Sequence, residues 1–393
     1  MKEIYSDINI VGGGLIGSVL ALSLSKLDLK VTIVEKNPTY NPKKNHTDKR
    51  TVAISEGTKH FLDKLELWKD IKLFTEPIRE IKVIDRKEIN SLNFDNNRRH
   101  SNLGYIVRNK IILDILYKNL KKQKNIKIIN NSEIKSISNL KENIKIQTQD
   151  FRIISNLNIA ADGKKSFVRN LLKTPVFKKS YNKKALVLTF NHSIDHNKRA
   201  FEIFLKDGPL AILPMKKEKD NFLSSIVWTN KNNYLDALFK KNEKEIIPII
   251  NEKVSSFIGN INKIHSKQLF ELTAHINTKF FEKRTIYVGD SAHSIHPIAG
   301  QGWNLGMSDV SKLFELIKKY KRLGIEVGNA LFCEEYHNNV YYEAFALYQI
   351  TDKLDTIFQI ENLPLTTLRS FGLNLIQKNK FLKNSISDFA MGF

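Results

Sequence analysis

Three glycines early in the chain have the spacing of a turn that binds phosphate groups. They follow the pattern G-x-G-x-x-G as Gly12, Gly14 and Gly17. Residues 8–11 before them are typical of a short buried strand, and the apolar pattern after them indicates a helix. In such a unit the first glycine permits a tight turn, the second lets the backbone approach a pyrophosphate, and the third lets helix and strand pack closely. The N-terminus of the helix adds unpaired N–H groups and the positive end of the helix dipole.

A second predicted strand and an acidic residue complete this unit. Residues 31–34 are mostly β-branched, and Glu35 follows them directly. Glu35 thus lies roughly 20 residues beyond the glycines, where a carboxylate accepts hydrogen bonds from ribose hydroxyls. An acid there favours FAD or NAD over NADP. The agreement of strands, helix and acid predicts a dinucleotide site rather than a merely structural turn, although the motif alone does not choose between FAD and NAD.

Another cluster of candidate residues follows a predicted strand at residues 286–288. Asp290 stands at the C-terminal end of that strand, where ligands of open α/β sheets bind. A carboxylate there can hold the ribityl hydroxyls of a flavin. Pro297, Gly300 and Gly302 form a loop that leads into a further helix. Backbone N–H groups at the start of that helix would stabilise negative charge on the pyrimidine side of a flavin.

The order of these motifs resembles that of the FAD-dependent aromatic hydroxylases, the single-component flavoprotein monooxygenases. Within that family the chain is most similar to the 2-polyprenylphenol hydroxylases of ubiquinone biosynthesis. The run from Gly289 to Val310, with its segments GDSAH, HP, GQG, NLG and DV, carries the closest match. The resemblance extends from Asp7 to about Val310 and is weak between Phe177 and Leu272.

The resemblance implies a set of cofactor-binding residues. In the family, the aspartate corresponding to Asp290 contacts the ribityl chain, and the loop after it lines the isoalloxazine. Arg50 matches an arginine that contacts phosphate or ribityl oxygens, and Asp162 belongs to an Asp-Gly motif associated with FAD and pyridine nucleotide. Either Arg108 or Asn109 is expected to face the flavin. The predicted set is Gly12, Gly14, Gly17, Glu35, Arg50, Arg108, Asp162, Asp290, Pro297, Gly300, Gly302, Asn304 and Leu305.

The activity implied by the resemblance is hydroxylation of the aromatic ring of a polyprenylated phenol in ubiquinone biosynthesis. Reduced FAD would react with O₂ to give the C4a-hydroperoxide, which transfers one oxygen atom to the ring. The sequence contains no second G-x-G-x-x-G unit. We therefore expect one permanent dinucleotide, FAD, and a transient reductant, either NAD(P)H or a ferredoxin-like donor.

The catalytic base is not identified by the sequence. His293 and His296 are weak candidates, and a positioning role is favoured for both. They lack the third ligand that a metal site would need, so no metal is expected. Three other functions remain open: an aromatic hydroxylase of the same fold acting on a soluble phenol or benzoate, a non-oxygenating FAD-dependent prenyl reductase, and a non-catalytic FAD-binding subunit.

The predicted fold is α/β. It combines a Rossmann-like FAD-binding domain built on a parallel sheet, an inserted and largely antiparallel β-sheet substrate domain, and a helical C-terminus beginning near Trp303 or Asn304. Near-alternating apolar patterns in the middle of the chain predict the antiparallel sheet. The predicted boundaries are 1–75, 100–175 and 277–345 for the FAD-binding domain, 76–99 and 176–276 for the substrate domain, and 346–393 for the C-terminal helical segment.

The composition indicates a basic globular protein. Among 393 residues, 63 Lys and Arg against 41 Asp and Glu give a net charge of +22. The lysines are scattered and no arginine-rich arm is present, so we expect no nucleic-acid partner. The single cysteine, Cys333, excludes an intramolecular disulfide.

Localisation is predicted from the absence of targeting signals. No signal peptide is recognisable, and the longest apolar stretch, residues 15–24, is short for a membrane span. We expect a cytoplasmic protein. The C-terminal segment from residue 363 either packs on the rest of the protein or attaches it to the inner face of the cell membrane, where a polyprenylated substrate resides. The resemblance also implies assembly with other ubiquinone-biosynthesis proteins.

Overall fold

The structure is a computed structural model that describes residues 1–41, 48–85, 91–95, 102–359, 372 and 375–391. Helices and strands are interspersed in the first part of the chain. In order, these elements are β1 (Lys2–Val11), α1 (Leu15–Ser25), β2 (Val31–Val34), β3 (Thr51–Ile54), α2 (Glu56–Lys64), α3 (Trp68–Lys72), β4 (Glu76–Ile78), β5 (Glu80–Asp85), β6 (Ser91–Asp95), β7 (Gly104–Arg108), α4 (Asn109–Leu120), β8 (Ile126–Ile129), β9 (Ser136–Asn139), β10 (Ile144–Gln147), β11 (Phe151–Ala160) and α5 (Phe167–Leu171).

The remainder of the chain begins with long strands and ends with long helices, and three short strands lie between them. These elements are β12 (Val176–His192), β13 (Arg199–Leu205), β14 (Gly208–Glu218), β15 (Asn221–Lys231), α6 (Asn232–Lys240), α7 (Glu243–Ile258), β16 (Ile261–Asn277), β17 (Phe281–Glu282), β18 (Thr285–Tyr287), β19 (His293–Ser294), α8 (Gln301–Arg322), α9 (Ala330–Gln359) and α10 (Lys380–Met391).

The first sheet is the predicted Rossmann-like unit. Its central strands run parallel in the order β8-β2-β1-β11-β18, and β9, β10 and β17 extend it with antiparallel pairs. In β1, Val11 pairs with Val34 on one side and with Ala160 on the other. The C-terminal ends of these strands therefore lie at one edge. The first strand begins at Lys2, earlier than its apolar core suggested, because residues 2–6 extend the pairing with β11.

The second sheet has the order β19-β16-β12-β15-β14-β13-β5-β6 and is antiparallel except between β13 and β5. One face packs against α6 and α7 through side chains such as Leu188, Trp228 and Ile250. The alternating apolar pattern of the middle of the chain did not predict these two helices. Their signals are local: Asn242 and Glu245 form a capping box at the start of α7, and residues 246, 250, 254 and 258 are buried at helical spacing.

Two short strands depart from the predicted domain boundaries. β4 falls in the range assigned to the substrate domain, but it pairs with β7 in a small third sheet of order β3-β7-β4. β19 falls in the range assigned to the FAD-binding domain, but it pairs with β16 of the second sheet. The predicted α/β class, with a parallel sheet, a largely antiparallel sheet and a helical C-terminus, is confirmed, whereas the boundaries stay a prediction.

The C-terminal helices connect the sheets. α8 begins at Gln301, slightly before the predicted start, because Gly300 takes a left-handed conformation and caps it. α9 packs its first half into the core of the first sheet, and its last turn places Phe358 against Phe204 of the second sheet at 3.7 Å between ring centroids. Within the expected C-terminal segment, residues 363–371 lie outside the described part. No helix among the described residues is long and apolar enough to cross a membrane.

Candidate functional site

The predicted phosphate, ribose and ribityl residues meet at one edge of the first sheet. β2, β1, β11 and β18 lie side by side and run parallel, so the segments that follow them converge. The glycine turn follows β1 and Glu35 follows β2. Asp162 follows β11, and Asp290 lies just beyond β18. The structure thus brings together residues that are far apart in the sequence.

The glycine turn is shaped by close backbone contacts. Gly12 has φ of +106°, and a Cβ there would lie 2.4 Å from the carbonyl oxygen of Ala161. A Cβ on Gly17 would lie 2.0 Å from the carbonyl oxygen of Gly12. Gly14 differs from both, since a Cβ there would meet nothing within 4 Å. Gly12 and Gly17 are therefore required by the protein itself, whereas Gly14 borders open space at the N-terminus of α1.

Glu35 is held beside this turn by hydrogen bonds. Its Oε2 accepts from the Gly13 backbone N–H at 2.6 Å, and its Oε1 accepts from the Asn37 backbone N–H at 2.9 Å. The Tyr117 hydroxyl donates to the carbonyl oxygen of Gly13 at 3.0 Å. The carboxylate is thereby oriented next to the turn, and it keeps lone pairs for a ribose hydroxyl.

The Asp-Gly loop after β11 is fixed by Arg169, a residue absent from the predicted set. Its guanidinium donates to the carbonyl oxygens of Lys164, at 2.9 Å, and Ser291, at 3.2 Å. It also lies 2.9 Å from Nε2 of His275, whose pKa is lowered to about 3 by burial and by Arg169. His275 is therefore neutral and accepts that hydrogen bond. The sequence signal that could have identified Arg169 is the presence of an arginine shortly after the Asp-Gly pair.

Two aspartates at this edge have carboxylate oxygens that are available to accept hydrogen bonds. Asp162 uses Oδ2 to accept from the Val168 backbone N–H at 3.1 Å, while its buried Oδ1 has no hydrogen-bond partner among the described residues. Burial raises the pKa of the Asp162 carboxyl. Asp290 is solvent-accessible but closely surrounded by protein, which raises the pKa of its carboxyl, while His293 and Lys164 act in the opposite direction.

Arg50 approaches the same region from the small third sheet. Its Nε and Nη2 donate to the two carboxylate oxygens of Asp48, each at 2.8 Å, and its guanidinium lies 5.3 Å from the ring centre of Phe270. Asn109, at the start of α4, donates to the same Asp48 carboxylate at 3.0 Å. Arg108 turns away and forms an ion pair with Glu218 at 2.9 Å. Asn109, rather than Arg108, therefore lies beside Arg50.

This geometry predicts different effects of two adjacent substitutions. We expect Asn109→Ala to weaken FAD binding by about tenfold, or roughly 1.4 kcal/mol, because Asp48 loses a partner and Arg50 its orientation. Arg108→Ala should change FAD affinity by less than about twofold, since its exposed ion pair contributes little. Titration of the apoprotein with FAD, followed by flavin fluorescence, measures both. Equal losses in the two variants would contradict this assignment.

The loop that contains Pro297, Gly300 and Gly302 is joined to the third sheet by Asn304. The side-chain Oδ1 of Asn304 accepts from the Ser55 backbone N–H at 3.0 Å, and its Nδ2 donates to the carbonyl oxygen of Ala53 at 2.9 Å. The predicted site residue Leu305 instead has its side chain buried in the core of the first sheet. A Cβ on Gly302 would meet nothing within 4 Å. Gly302 therefore borders open space at the start of α8, as Gly14 does at the start of α1.

The two histidines have different surroundings. His293 is buried with its Nε2 2.7 Å from Oδ2 of Asp309, which also accepts from the Gly289 backbone N–H at 2.9 Å. Burial lowers the pKa of His293, but the Asp309 carboxylate outweighs it and the net pKa is raised. His296 is buried beside Asp355, and burial lowers its pKa to about 4. The His293–Asp309 pair holds the turn that carries Asp290, which is a positioning role.

The residues at this edge fit FAD. Open space borders Gly14 and Gly302 at two helix N-termini, where anionic groups are stabilised. Asp162 has a buried acceptor without a partner, and Asp290 has no hydrogen bond to its carboxylate from the described residues. These features match the pyrophosphate and the hydroxyl groups of the cofactor.

Comparisons with known proteins show which family the chain belongs to. The FAD binding domain family matches residues 5–322. Ubiquinone hydroxylase UbiL of Rhodospirillum rubrum is 26% identical, and the match covers 98% of this chain and 90% of that protein. Ubiquinone biosynthesis monooxygenase COQ6 of Drosophila melanogaster is 28% identical, with 99% and 90% covered. Ubiquinone hydroxylase UbiM of Neisseria meningitidis is 25% identical, with 96% and 82% covered.

Solved structures show the same fold. p-Nitrophenol 4-monooxygenase PnpA of Pseudomonas putida superposes with a TM-score of 0.80 at 16% identity, over 100% of this chain and 98% of that one. The flavin-dependent monooxygenase PieE gives a TM-score of 0.72 at 14% identity, over 100% and 72%. The resemblance to FAD-dependent aromatic hydroxylases drawn from the motifs is confirmed, and the chain belongs to the FAD binding domain family.

Proposed function

We propose that this FAD-dependent monooxygenase hydroxylates the aromatic ring of a polyprenylated phenol in ubiquinone biosynthesis. The observation that carries the proposal is the position of the predicted FAD-binding edge: its Pro297–Gly302 loop contacts the face of the second sheet that lies opposite α6 and α7. The names of the relatives UbiL and COQ6 support the pathway and the reaction type.

Each group at the edge has a distinct task in holding the cofactor. The turn at Gly14 and the N-terminus of α1 would bind the pyrophosphate, and Glu35 would bind the ribose. Asp290 would hold ribityl hydroxyls, and the N-terminus of α8 would stabilise negative charge on the flavin. When bound and reduced, FAD supplies the electrons that activate O₂ for oxygen transfer to the ring. These residue roles are part of the proposal.

The second sheet offers a surface of mixed apolar and polar side chains for the ring. Strand side chains alternate between faces, and Trp228 faces the helices α6 and α7. The neighbouring Val227 and Ala211, which are opposite each other in β15 and β14, therefore face the other way. On that face Phe204 packs against Ile298 of the loop. Glu202 pairs with Ala211, and Ser225 pairs with Leu213, so the same face also carries polar groups. The surface therefore offers apolar contacts for a prenylated ring together with a few polar groups that can orient it.

Oxygen incorporation into a defined product tests the function. The purified holoenzyme is photoreduced without oxygen, mixed with a 2-polyprenylphenol and exposed to ¹⁸O₂. One ¹⁸O atom per product ring is expected. The same experiment with p-hydroxybenzoate in place of the phenol tests the soluble-substrate alternative. Unlabelled phenol together with a saturated prenyl chain would support a prenyl reductase and contradict the proposal.

The reductant and the protein partners remain predictions. NAD(P)H or a ferredoxin-like donor is expected from the family, and assembly with other ubiquinone-biosynthesis proteins from the same resemblance. The rate of flavin bleaching by each donor, measured without oxygen, identifies the reductant. Photoreduction in the preceding experiment makes the test of hydroxylation independent of that donor.

We further propose peripheral attachment to the inner face of the cell membrane through α9 and α10. Large apolar side chains are exposed on both helices: Phe381 is 78% exposed, and Ile350, Ile357 and Ile386 are also exposed. The net charge of +22 favours an anionic lipid surface. Partly inserted aromatic side chains combined with positive charge are typical of interfacial helices.

Flotation with vesicles tests this attachment. We expect Phe381→Asp to reduce binding to phosphatidylglycerol-containing vesicles by about tenfold or more, because burial of a Phe side chain contributes roughly 1.5–3 kcal/mol. Phe177→Asp is the matched control, since Phe177 is an exposed aromatic residue on β12. Equal binding by the wild type and Phe381→Asp would contradict attachment through α10.

A further inference from the structure

A group of ionisable side chains is enclosed between β12, α9 and the residue before Pro297. His296 is completely buried, and its Nε2 lies 3.6 Å from Oδ1 of Asp355. The Lys183 Nζ lies 3.4 Å from both carboxylate oxygens of Asp355, and the Lys183 side chain is only 10% exposed. Three ionisable side chains thus form a continuous row from the loop toward the protein surface.

A second pair of groups borders this row. The Tyr181 ring packs edge-on against His296, with 4.9 Å between ring centroids, and its hydroxyl donates to Asp352 at 2.9 Å. Lys179 pairs with the same Asp352 carboxylate at 2.5 Å. Lys179, Tyr181 and Lys183 belong to β12, and Asp352 and Asp355 belong to α9. Asp207 and Lys231, which pair with each other at 3.0 Å, also act on the charge of Lys183. Ile298 and Phe358 form an apolar cluster with Phe204.

Packing alone does not account for His296. Neither of its ring nitrogens has a hydrogen-bond partner among the described residues, and a buried polar group without a partner is unfavourable. His192 shows the usual structural arrangement, with Nδ1 2.9 Å from the carbonyl oxygen of Ile194 and Nε2 2.9 Å from the Ser224 hydroxyl. His296 instead has one nitrogen near a carboxylate and the other without a partner.

We propose that His296 and Asp355 form a proton relay, positioned by Lys183, that accepts the proton of the phenolic substrate beside the Pro297–Gly302 loop. This inference rests on the proposed function, because it requires a phenol at that loop. The relay supplies the base that the sequence left unidentified. Ionisation of the phenol makes the ring more electron-rich and therefore more reactive toward oxygen transfer.

The proposed step moves one proton and no electrons. The phenol O–H bond breaks, and the proton passes through a water molecule to an imidazole nitrogen of His296. The Asp355 carboxylate stabilises the imidazolium that forms, and Lys183 holds that carboxylate in place. Burial lowers the pKa of His296 to about 4, so the imidazole is neutral at pH 7 before the phenol binds. Burial opposes protonation, and the transfer therefore depends on the negative charges of the phenolate and of Asp355, which both stabilise the imidazolium.

The ionisation of a bound phenol tests the relay without turnover. The oxidised holoenzyme is saturated with 2-prenyl-4-nitrophenol, whose phenolate is coloured, and the pKa of the bound probe is read from its absorbance across pH. We expect His296→Asn to raise that pKa by about 1–2 units, because an opposite charge within about 4–6 Å shifts a pKa by this amount. An unchanged probe pKa would overturn the relay.

Variants of Asp355 separate the relay from a general effect of charge. Asp355→Asn should raise the probe pKa as His296→Asn does. Because it also leaves Lys183 buried without its partner, the double variant Asp355→Asn/Lys183→Met is made as well, and the same rise is expected. Asp352→Asn is the matched control one turn away on α9, with less than half of that rise expected. Equal shifts in Asp352→Asn and Asp355→Asn would overturn the assignment.

Nitrogen NMR of the wild type gives a second readout. With ¹⁵N-labelled histidine, the signal that disappears in His296→Asn is expected to change from the neutral to the protonated form when the probe binds at pH 7. A signal that stays neutral while the probe ionises would overturn the relay but leave the hydroxylase function intact. A probe that does not bind to the wild type at all would count against both.

Discussion

Gly14→Ala and Gly17→Ala are expected to separate cofactor binding from folding. Gly14 has an ordinary extended backbone with φ of −73°, and a Cβ there meets no protein atom within 4 Å. Gly14→Ala should therefore change the free energy of unfolding of the apoprotein by no more than about 0.5 kcal/mol. The added methyl group occupies the space through which the backbone approaches a pyrophosphate. We expect FAD affinity to fall by about 10- to 100-fold, equivalent to the roughly 1–3 kcal/mol of an overpacked contact.

Gly17→Ala should act mainly on folding and only indirectly on FAD binding. Its Cβ would lie 2.0 Å from the carbonyl oxygen of Gly12, a backbone atom that cannot move without shifting the turn. The apoprotein should lose about 1–3 kcal/mol of unfolding free energy, and FAD affinity should fall as a consequence. Urea denaturation of both apoproteins and titration with FAD measure the two effects. A Gly14→Ala protein that binds FAD like the wild type would show that no phosphate approaches this position.

Asp309→Asn is expected to be strongly destabilising. Asp309 accepts hydrogen bonds from His293 and from the Gly289 backbone, and both side chains of the pair are almost completely buried. Removing one partner of a buried pair costs about 3–5 kcal/mol, because the remaining group loses its compensation. The loss should be accompanied by weaker FAD binding, since the pair holds the turn that carries Asp290. Urea denaturation at pH 6 measures the change in unfolding free energy.

The effect of Asp309→Asn should depend on pH in a defined direction. The folded-state pKa of His293 is raised, so folding favours the protonated imidazole. That stabilisation is complete below the unfolded-state pKa of about 6.5 and is lost as pH rises through the higher folded-state pKa. The difference in unfolding free energy between wild type and variant should therefore be largest near pH 6 and shrink toward pH 9. A difference that grows with pH would contradict a charged His293.

Short-range sequence patterns were sufficient to predict the FAD-binding edge. The glycine turn occupies consecutive residues between a strand and a helix, and its geometry depends mainly on its own backbone. Glu35 and Asp290 could be placed because each follows directly on a recognisable strand. Parallel strands end at a common edge of a sheet, so the local predictions were enough to bring these residues together.

The tertiary structure decided the questions that depend on distant partners. The partners of Asn109 and Arg108, which are Asp48 and Glu218, come from other parts of the chain. The sequence could not supply these contacts, and which of the two residues faces the flavin stays a prediction. The different surroundings of the two histidines have the same origin, because His293 faces Asp309 of α8 whereas His296 faces Asp355 of α9. Ionisation and hydrogen bonding depend on which charges lie within a few ångströms. The sequence by itself therefore determined the family and the cofactor and predicted the position of the site, while only the packing of α8 and α9 decided what each histidine contacts.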